Sequence, residues 1–313
     1  MLRAEVAAAA LIAALASSLA GQSADSATTL QRQLRVGGRT RHYLVDLPPR
    51  YASRGPMPLV FNFHGGGGSP SGARTQSGFS ALGARVGAII VYPAGSGRFS
   101  DERLLTWNTG SCCGYAQAQK IDETAFVRAL IDTLERTYSI DRNRIYATGL
   151  SNGGMMAHLV GCTLADRFAA IAVISGELSM ECHPSRAVSV LIIHGTADEN
   201  LPYDGGVGSK ALDKHDVKPV SYAVNSWRAF DKCPAAPSTD VWSGNRTAPQ
   251  NAVRHSVWSP CADGTAVELY AIQGGGHSWP GGQRMARILD APSNAINATQ
   301  VAWDFFAAHP RHD

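Results

Sequence analysis

From Leu59 to Ala308, short apolar runs closed by glycine or proline alternate with longer stretches whose apolar residues recur every third or fourth position. Short runs of this kind are what strands buried on both faces look like, and the longer stretches have the period of helices with one buried side. Leu59-Val60-Phe61-Asn62-Phe63 ends in His64 and four glycines, and the run from Gly87 to Tyr92 is closed by Pro93. Arg144 to Thr148, Ala169 to Ser175, Val188 to His194 and Val267 to Ile272 take the same form. Between them, Asp122 to Tyr138 reads as a helix, with Asp122 as its cap, Phe126, Leu130 and Leu134 on one face and Arg136 near its end. Met155 to Phe168, a stretch starting near Val220 that includes Trp227, and Ala298 to Ala308 read as further helices. Strand and helix alternating to the end of the chain predict an α/β fold, a mostly parallel central sheet with helices on both faces. Ahead of this series, Leu34 to Leu47 reads as a hairpin turning at Gly37-Gly38. The segment from Cys233 to Cys261 has no clear period and reads as a loop.

The 313 residues are 44% hydrophobic, enough to fill a large core. The net charge of +3 is spread over 28 basic and 25 acidic residues without a basic run, which argues against nucleic acid as a partner. At the start, Arg3 precedes an Ala-rich apolar run from Val6 to Ala20, and Ser18-Leu19-Ala20 offers the small residues a signal peptidase inspects. The run is shorter than the ~20 residues a bilayer span needs. It therefore reads as a signal peptide, 1–20, cleaved near Ala20, rather than a membrane anchor. The remainder, 21–313, reads as one secreted or periplasmic domain.

Six cysteines follow the leader, an even number that suggests disulfides in an exported chain. Cys233 and Cys261 are paired here because they fall in one late segment between predicted elements. Cys112, Cys113, Cys162 and Cys182 stay unassigned. Cys182 beside His183 raises zinc as a use, but no pair of CxxC motifs is present, so no metal is expected.

Gly149-Leu150-Ser151-Asn152-Gly153 is a weak motif alone, because a chain with 32 glycines would produce a serine between two such glycines by chance roughly 0.3 times. Its setting strengthens it: it follows a predicted strand and precedes a predicted helix, as the nucleophile elbow of the α/β-hydrolase fold does. A serine hydroxyl needs a base to take its proton and an acid to orient that base, in the chain order Ser, Asp or Glu, His. Asp198, in His194-Gly195-Thr196-Ala197-Asp198, and His277, in Gly274-Gly275-Gly276-His277, both follow predicted strands, where open α/β sheets gather their sites. Asp204 is the nearby alternative acid. The run His64-Gly65-Gly66-Gly67-Gly68 follows an early strand, and its backbone suits half of an oxyanion hole, with Gly66 and Asn152 as the N–H donors. A phosphate loop is excluded because no Gly-Lys-Ser/Thr follows.

Together with Trp107-Asn108, Cys112-Cys113-Gly114, Gly153-Gly154-Met155-Met156 and His277-Ser278-Trp279-Pro280-Gly281, these motifs resemble, in order, those of the polyhydroxybutyrate depolymerase/feruloyl esterase family, from about Arg39 to Ala308. The resemblance implies a carboxylic-ester hydrolase without cofactor whose triad is Ser151, Asp198 and His277. Extracellular depolymerases of this kind often append a polymer-binding domain, which is not expected here, and their elbows tend to carry a small residue where Asn152 stands. The departures favour soluble or polysaccharide-linked esters, such as hydroxycinnamoyl esters of plant polysaccharide, over polyester. Trp107 and Trp279 are expected to line the substrate pocket, since an aromatic face suits a cinnamoyl ring. Acyl transfer to an alcohol, or a non-catalytic binding role on the same fold, are the rival functions.

Overall fold

The computed structural model describes residues 26–99, 103–211, 214–243, 252–285 and 289–311. The predicted leader, 1–20, lies outside them. The strands are β1 (Thr28–Val36), β2 (Arg39–Leu47), β3 (Met57–Phe63), β4 (Ile89–Pro93), β5 (Ile140–Leu150), β6 (Ala170–Ile174), β7 (Ser189–Gly195), β8 (Ser238–Ser243), β9 (Ala252–Trp258) and β10 (Val267–Ile272). The helices are α1 (Pro70–Ser77), α2 (Phe79–Val86), α3 (Gly114–Ala118), α4 (Glu123–Thr137), α5 (Asn152–Thr163), α6 (Val220–Phe230) and α7 (Ala298–Ala308). The strands form one sheet in the order β1-β2-β4-β3-β5-β6-β7-β10-β9-β8. Its centre, from β4 to β10, is parallel, while β1–β2, β2–β4, β10–β9 and β9–β8 pair antiparallel.

Every residue of β3, β4, β6 and β7 is buried, because successive side chains feed cores on opposite faces. Phe61, Val91 and Ile192 join one core, under α4, α5 and α6. Their neighbours Val60, Ile90, Leu191 and Ile193 join the other, with Phe79 and Leu82 of α2 and Phe305 and Phe306 of α7. The stripe read from α4, Phe126, Leu130 and Leu134, is fully buried, and Asp122 Oδ1 caps it by accepting from the Ala125 N–H at 2.8 Å. The fold is thus the α/β-hydrolase type anticipated.

Some elements differ from expectation. The segment from Cys233 to Cys261 is not a loop: it contains β8 and β9. β9 buries Val253, Ser256 and Trp258 but carries Arg254 and His255 between them, so polar residues blur its alternation. Helix α5 starts at Asn152 instead of Met155 and stops before Leu164, whose φ of −128° leaves the helical region. Helix α1 has no apolar repeat. It is held by its cap, Ser69, whose hydroxyl accepts from the Gly72 N–H at 3.2 Å, and by Pro70 in the first turn. The cysteines form three pairs, Cys112–Cys113, Cys162–Cys182 and Cys233–Cys261.

Candidate active site

Ser151 is the single residue between β5 and α5, with φ 59° and ψ −124°, a backbone state that costs a non-glycine residue energy and that recurs where function demands it. Backbone packing on both sides enforces the turn. A Cβ on Gly149 would strike the Gly153 carbonyl, and one on Gly153 would strike the carbonyls of Phe63 and His64. The Ser151 N–H donates to the Ile174 carbonyl at 2.9 Å, tying the turn to β6.

Asn152 opens α5, so its backbone N–H belongs to a first turn that has no intrahelical acceptor. Its buried side chain grips the backbone of Trp107: Oδ1 accepts from the Trp107 N–H at 2.8 Å and Nδ2 donates to the Trp107 carbonyl at 3.1 Å. The Trp107 indole N–H in turn donates to the His64 carbonyl at 2.9 Å. The elbow and the glycine run are therefore braced through one tryptophan. Within the run, the Gly67 N–H is taken by the Leu105 carbonyl at 2.8 Å and the Gly68 N–H by the Gly65 carbonyl at 3.0 Å. Gly65 and Gly66 are left to face the serine, and a Cβ on Gly66 would lie 3.7 Å from that of Asn152.

His64 is buried, and burial pushes its pKa down to about 4. It is neutral, its Nε2 accepting from the Gly95 N–H at 3.0 Å and its Nδ1–H donating to the Gly65 carbonyl at 2.8 Å. It shapes the loop and is no rival to His277 as a base.

Asp198 and His277 follow β7 and β10, strands that are neighbours in the sheet. The Ala197 N–H donates to the Gly275 carbonyl at 2.9 Å and the Gly274 N–H to Thr196 Oγ1 at 2.9 Å. Gly195 is required at this seam, since a Cβ there would collide with the Gly275 carbonyl. The result brings Asp198 Oδ2 to 2.7 Å from His277 Nδ1. Asp198 Oδ1 accepts from the N–H groups of Asn200 and Leu201, both at 2.9 Å. Burial alone would raise the Asp198 pKa, but the hydrogen bonds from His194 and His277 outweigh it and hold the carboxyl well below the usual range. Asp204, the alternative acid, is exposed on the loop beyond.

Two contributors escaped the sequence. Asp290 Oδ2 accepts from the His277 N–H at 2.8 Å, and nothing near Asp290 in the sequence signals this. His194 donates through Nε2 to the Leu201 carbonyl at 2.8 Å and lies 3.3 Å from Asp198 Oδ2; its place four residues before Asp198 was a usable signal.

Ser151 and His277 open on one cleft of about 790 Å³, walled by His64 to Gly68, Leu150, Ser278, and by Phe99, Leu104, Met285 and Leu289 among others. The two tryptophans expected in the pocket are not there. Trp107 is fully buried, edge-on to Phe63 at 5.4 Å. Trp279 is buried on the other face of the sheet, edge-on to Phe79 at 6.0 Å, with its indole N–H on Thr299 Oγ1 at 2.9 Å. Each buries its large ring in a core and finds a partner for its N–H, which is how buried tryptophan is usually accommodated.

Several known proteins are similar to this chain. The family profile described as "Esterase PHB depolymerase" matches residues 41–207. The putative esterase NocK of Nocardia uniformis subsp. tsuyamanensis is 29% identical over 292 residues, covering 89% of this chain and 83% of NocK. Feruloyl esterase B of Piromyces equi is 29% identical over 249 residues, and the bifunctional acetylxylan esterase/xylanase XynS20E of Neocallimastix patriciarum is 27% identical over 278. The matches span only 42% and 34% of those two proteins. Among solved structures, an acetyl xylan esterase from Aspergillus awamori aligns over 90% of this chain and 99% of its own with a TM-score of 0.59 at 15% identity, a likeness of fold. Among the described residues, no helix is long and apolar enough to cross a membrane.

Proposed function

Because the chain belongs to the esterase PHB depolymerase family, we propose that it hydrolyses carboxylic esters through an acyl-enzyme on Ser151, with hydroxycinnamoyl or related esters of plant polysaccharide as substrates. The observation that carries the proposal is the buried Asp198 carboxylate 2.7 Å from Nδ1 of His277, a histidine that lines one cleft with Ser151. In this mechanism His277 Nε2 takes the Ser151 proton as Oγ attacks the ester carbon. The backbone N–H groups of Asn152 and Gly66 receive the negative oxygen. His277 returns the proton to the leaving alcohol, and water repeats the cycle to release the acid. Asp198 fixes the imidazole tautomer and stabilises the imidazolium, which its depressed pKa favours.

The names of the feruloyl and acetylxylan esterase relatives support the polysaccharide-ester substrate. The family description favours a second one, a hydroxybutyrate oligomer. Export after removal of 1–20 fits three cystine pairs, which persist in oxidising compartments.

The test compares rates on methyl ferulate, acetylated xylan and a hydroxybutyrate oligomer, for wild type and Ser151→Ala. Preference for ferulate, abolished by the substitution, is expected. Preference for the oligomer replaces the substrate, and full activity in Ser151→Ala refutes the mechanism.

A further inference from the structure

Of the six large apolar side chains exposed among the described residues, four, Phe99, Leu104, Met285 and Leu289, line the cleft above Ser151. Scattered exposed apolar residues are ordinary, but a cluster around one opening marks a binding surface. Leu104 is the most informative. It is 62% exposed and has φ 54°, so it holds apolar surface in water on a left-handed backbone that leucine rarely adopts. Its neighbours impose both conditions. Leu105 accepts the Gly67 N–H at 2.8 Å and bridges Gly68, which pins the backbone beside the glycine loop. Leu104 Cδ2 then stands 3.9 Å from where a Cβ on Gly67 would sit. Phe99 lines the same cleft, with the Arg103 guanidinium 5.3 Å from its ring centroid.

The chemistry of the site tells the two ends of a substrate apart. The leaving oxygen must face His277 to receive its proton, so the alcohol portion runs toward the His277 segment. The His277 N–H is held by Asp290, which follows Leu289 in the chain. The carbonyl oxygen points to Asn152 and Gly66, and the acyl portion leaves the carbonyl away from His277, on the side of the glycine loop where Leu104 stands. Resting on the esterase mechanism above, we propose that Leu104 and Phe99 form an acyl-specificity wall that takes a bulky apolar acyl group, aryl or medium-chain alkyl, in preference to acetyl.

The experiment holds the alcohol constant and varies the acid: 4-nitrophenyl acetate, octanoate and ferulate are compared on wild type, Leu104→Gly and Phe99→Ser/Leu104→Gly. Glycine suits the positive φ at position 104, so the first variant removes the side chain without straining the fold, and its melting temperature is expected not to fall. The expected result is a loss in kcat/KM of about 10-fold to 100-fold for octanoate and ferulate, with acetate changed by less than about twofold, the range an apolar pocket contact supplies. Retained acetate turnover separates this idea from the mechanism itself, whose failure would be seen as activity independent of Ser151. The wall is overturned if acetate falls in step with the larger acids, if no acid is affected, or if the loss follows the alcohol when methyl and benzyl esters of one acid are compared.

Discussion

Replacing Asn152 with alanine isolates the brace between the elbow and the glycine run. The asparagine accepts the Trp107 N–H at 2.8 Å and donates to the Trp107 carbonyl at 3.1 Å. That carbonyl also receives the Cys113 N–H at 2.9 Å, so alanine leaves only the Trp107 N–H stranded in the interior. A stranded buried donor costs about 1–3 kcal/mol and the lost second bond about 1, together about 2–4 kcal/mol. An unfolding entropy of about 2.1 cal/mol/K per residue gives a chain of this length about 0.6 kcal/mol/K, and hence a fall in Tm of about 3–7 °C. The Asn152 backbone N–H survives the substitution. Any effect on turnover therefore passes through Trp107, whose indole holds the His64 carbonyl at 2.9 Å, and kcat is expected to fall about tenfold with KM changing less. Trp107→Phe removes the indole N–H together with part of a fully buried ring, and should lower kcat with a loss of Tm at least as large. Scanning calorimetry and kcat on a soluble ester read both quantities. An Asn152→Ala protein melting within about 1 °C of wild type, with undiminished kcat, refutes the brace.

Two further outcomes follow from single residues. Burial, opposed by the Val188 N–H and reinforced by Asp263, raises Asp231 to about 7, and one of its oxygens has no partner. Because this folded-state value lies above the unfolded one near 4, the stabilisation from its protonated form is complete below about pH 4 and is lost as pH rises to about 7. Asp231→Asn should therefore match wild type in unfolding free energy from denaturant titration at pH 4 and exceed it at pH 8, by up to about 4 kcal/mol; an equal difference at both pH values counts against the assignment. Gly195→Ala should force the Asp198 and His277 loops apart, costing about 1–3 kcal/mol and lowering kcat/KM by about 100-fold, and undiminished turnover would show that the seam is not tight.

The central strands were legible because both of their faces are buried, which leaves apolar runs such as Leu59 to Phe63 almost unbroken. β9 was not, because Arg254 and Ser256 share a face with the buried Trp258, and His255 shares the other with Val253. The elbow could be read from the sequence because its constraints are local: a strand, two glycines in contact with backbone, and a helix. Chain order and strand ends pointed to Asp198 and His277, but their approach depends on β10 pairing with β7, which no local pattern encodes. The tryptophans misled for a related reason. Trp279 stands two residues from His277 yet turns into the core against Phe79 and Thr299, since closeness along an irregular segment does not fix where a side chain points. Asn152, which looked like a departure suggesting a different substrate, instead fastens Trp107.

The place of β10 in the sheet also has a temporal meaning. β10 lies between β7 and β9, and the histidine that follows it lies 79 residues beyond its aspartate. A chain emerging from N- to C-terminus completes its serine, its glycine loop and its acid long before the strand that delivers the imidazole can dock. Contacts this distant in sequence are slow to form. The hydroxyl therefore acquires its proton acceptor only once β10 has joined β7, so onset of turnover is a clock for that one long-range pairing.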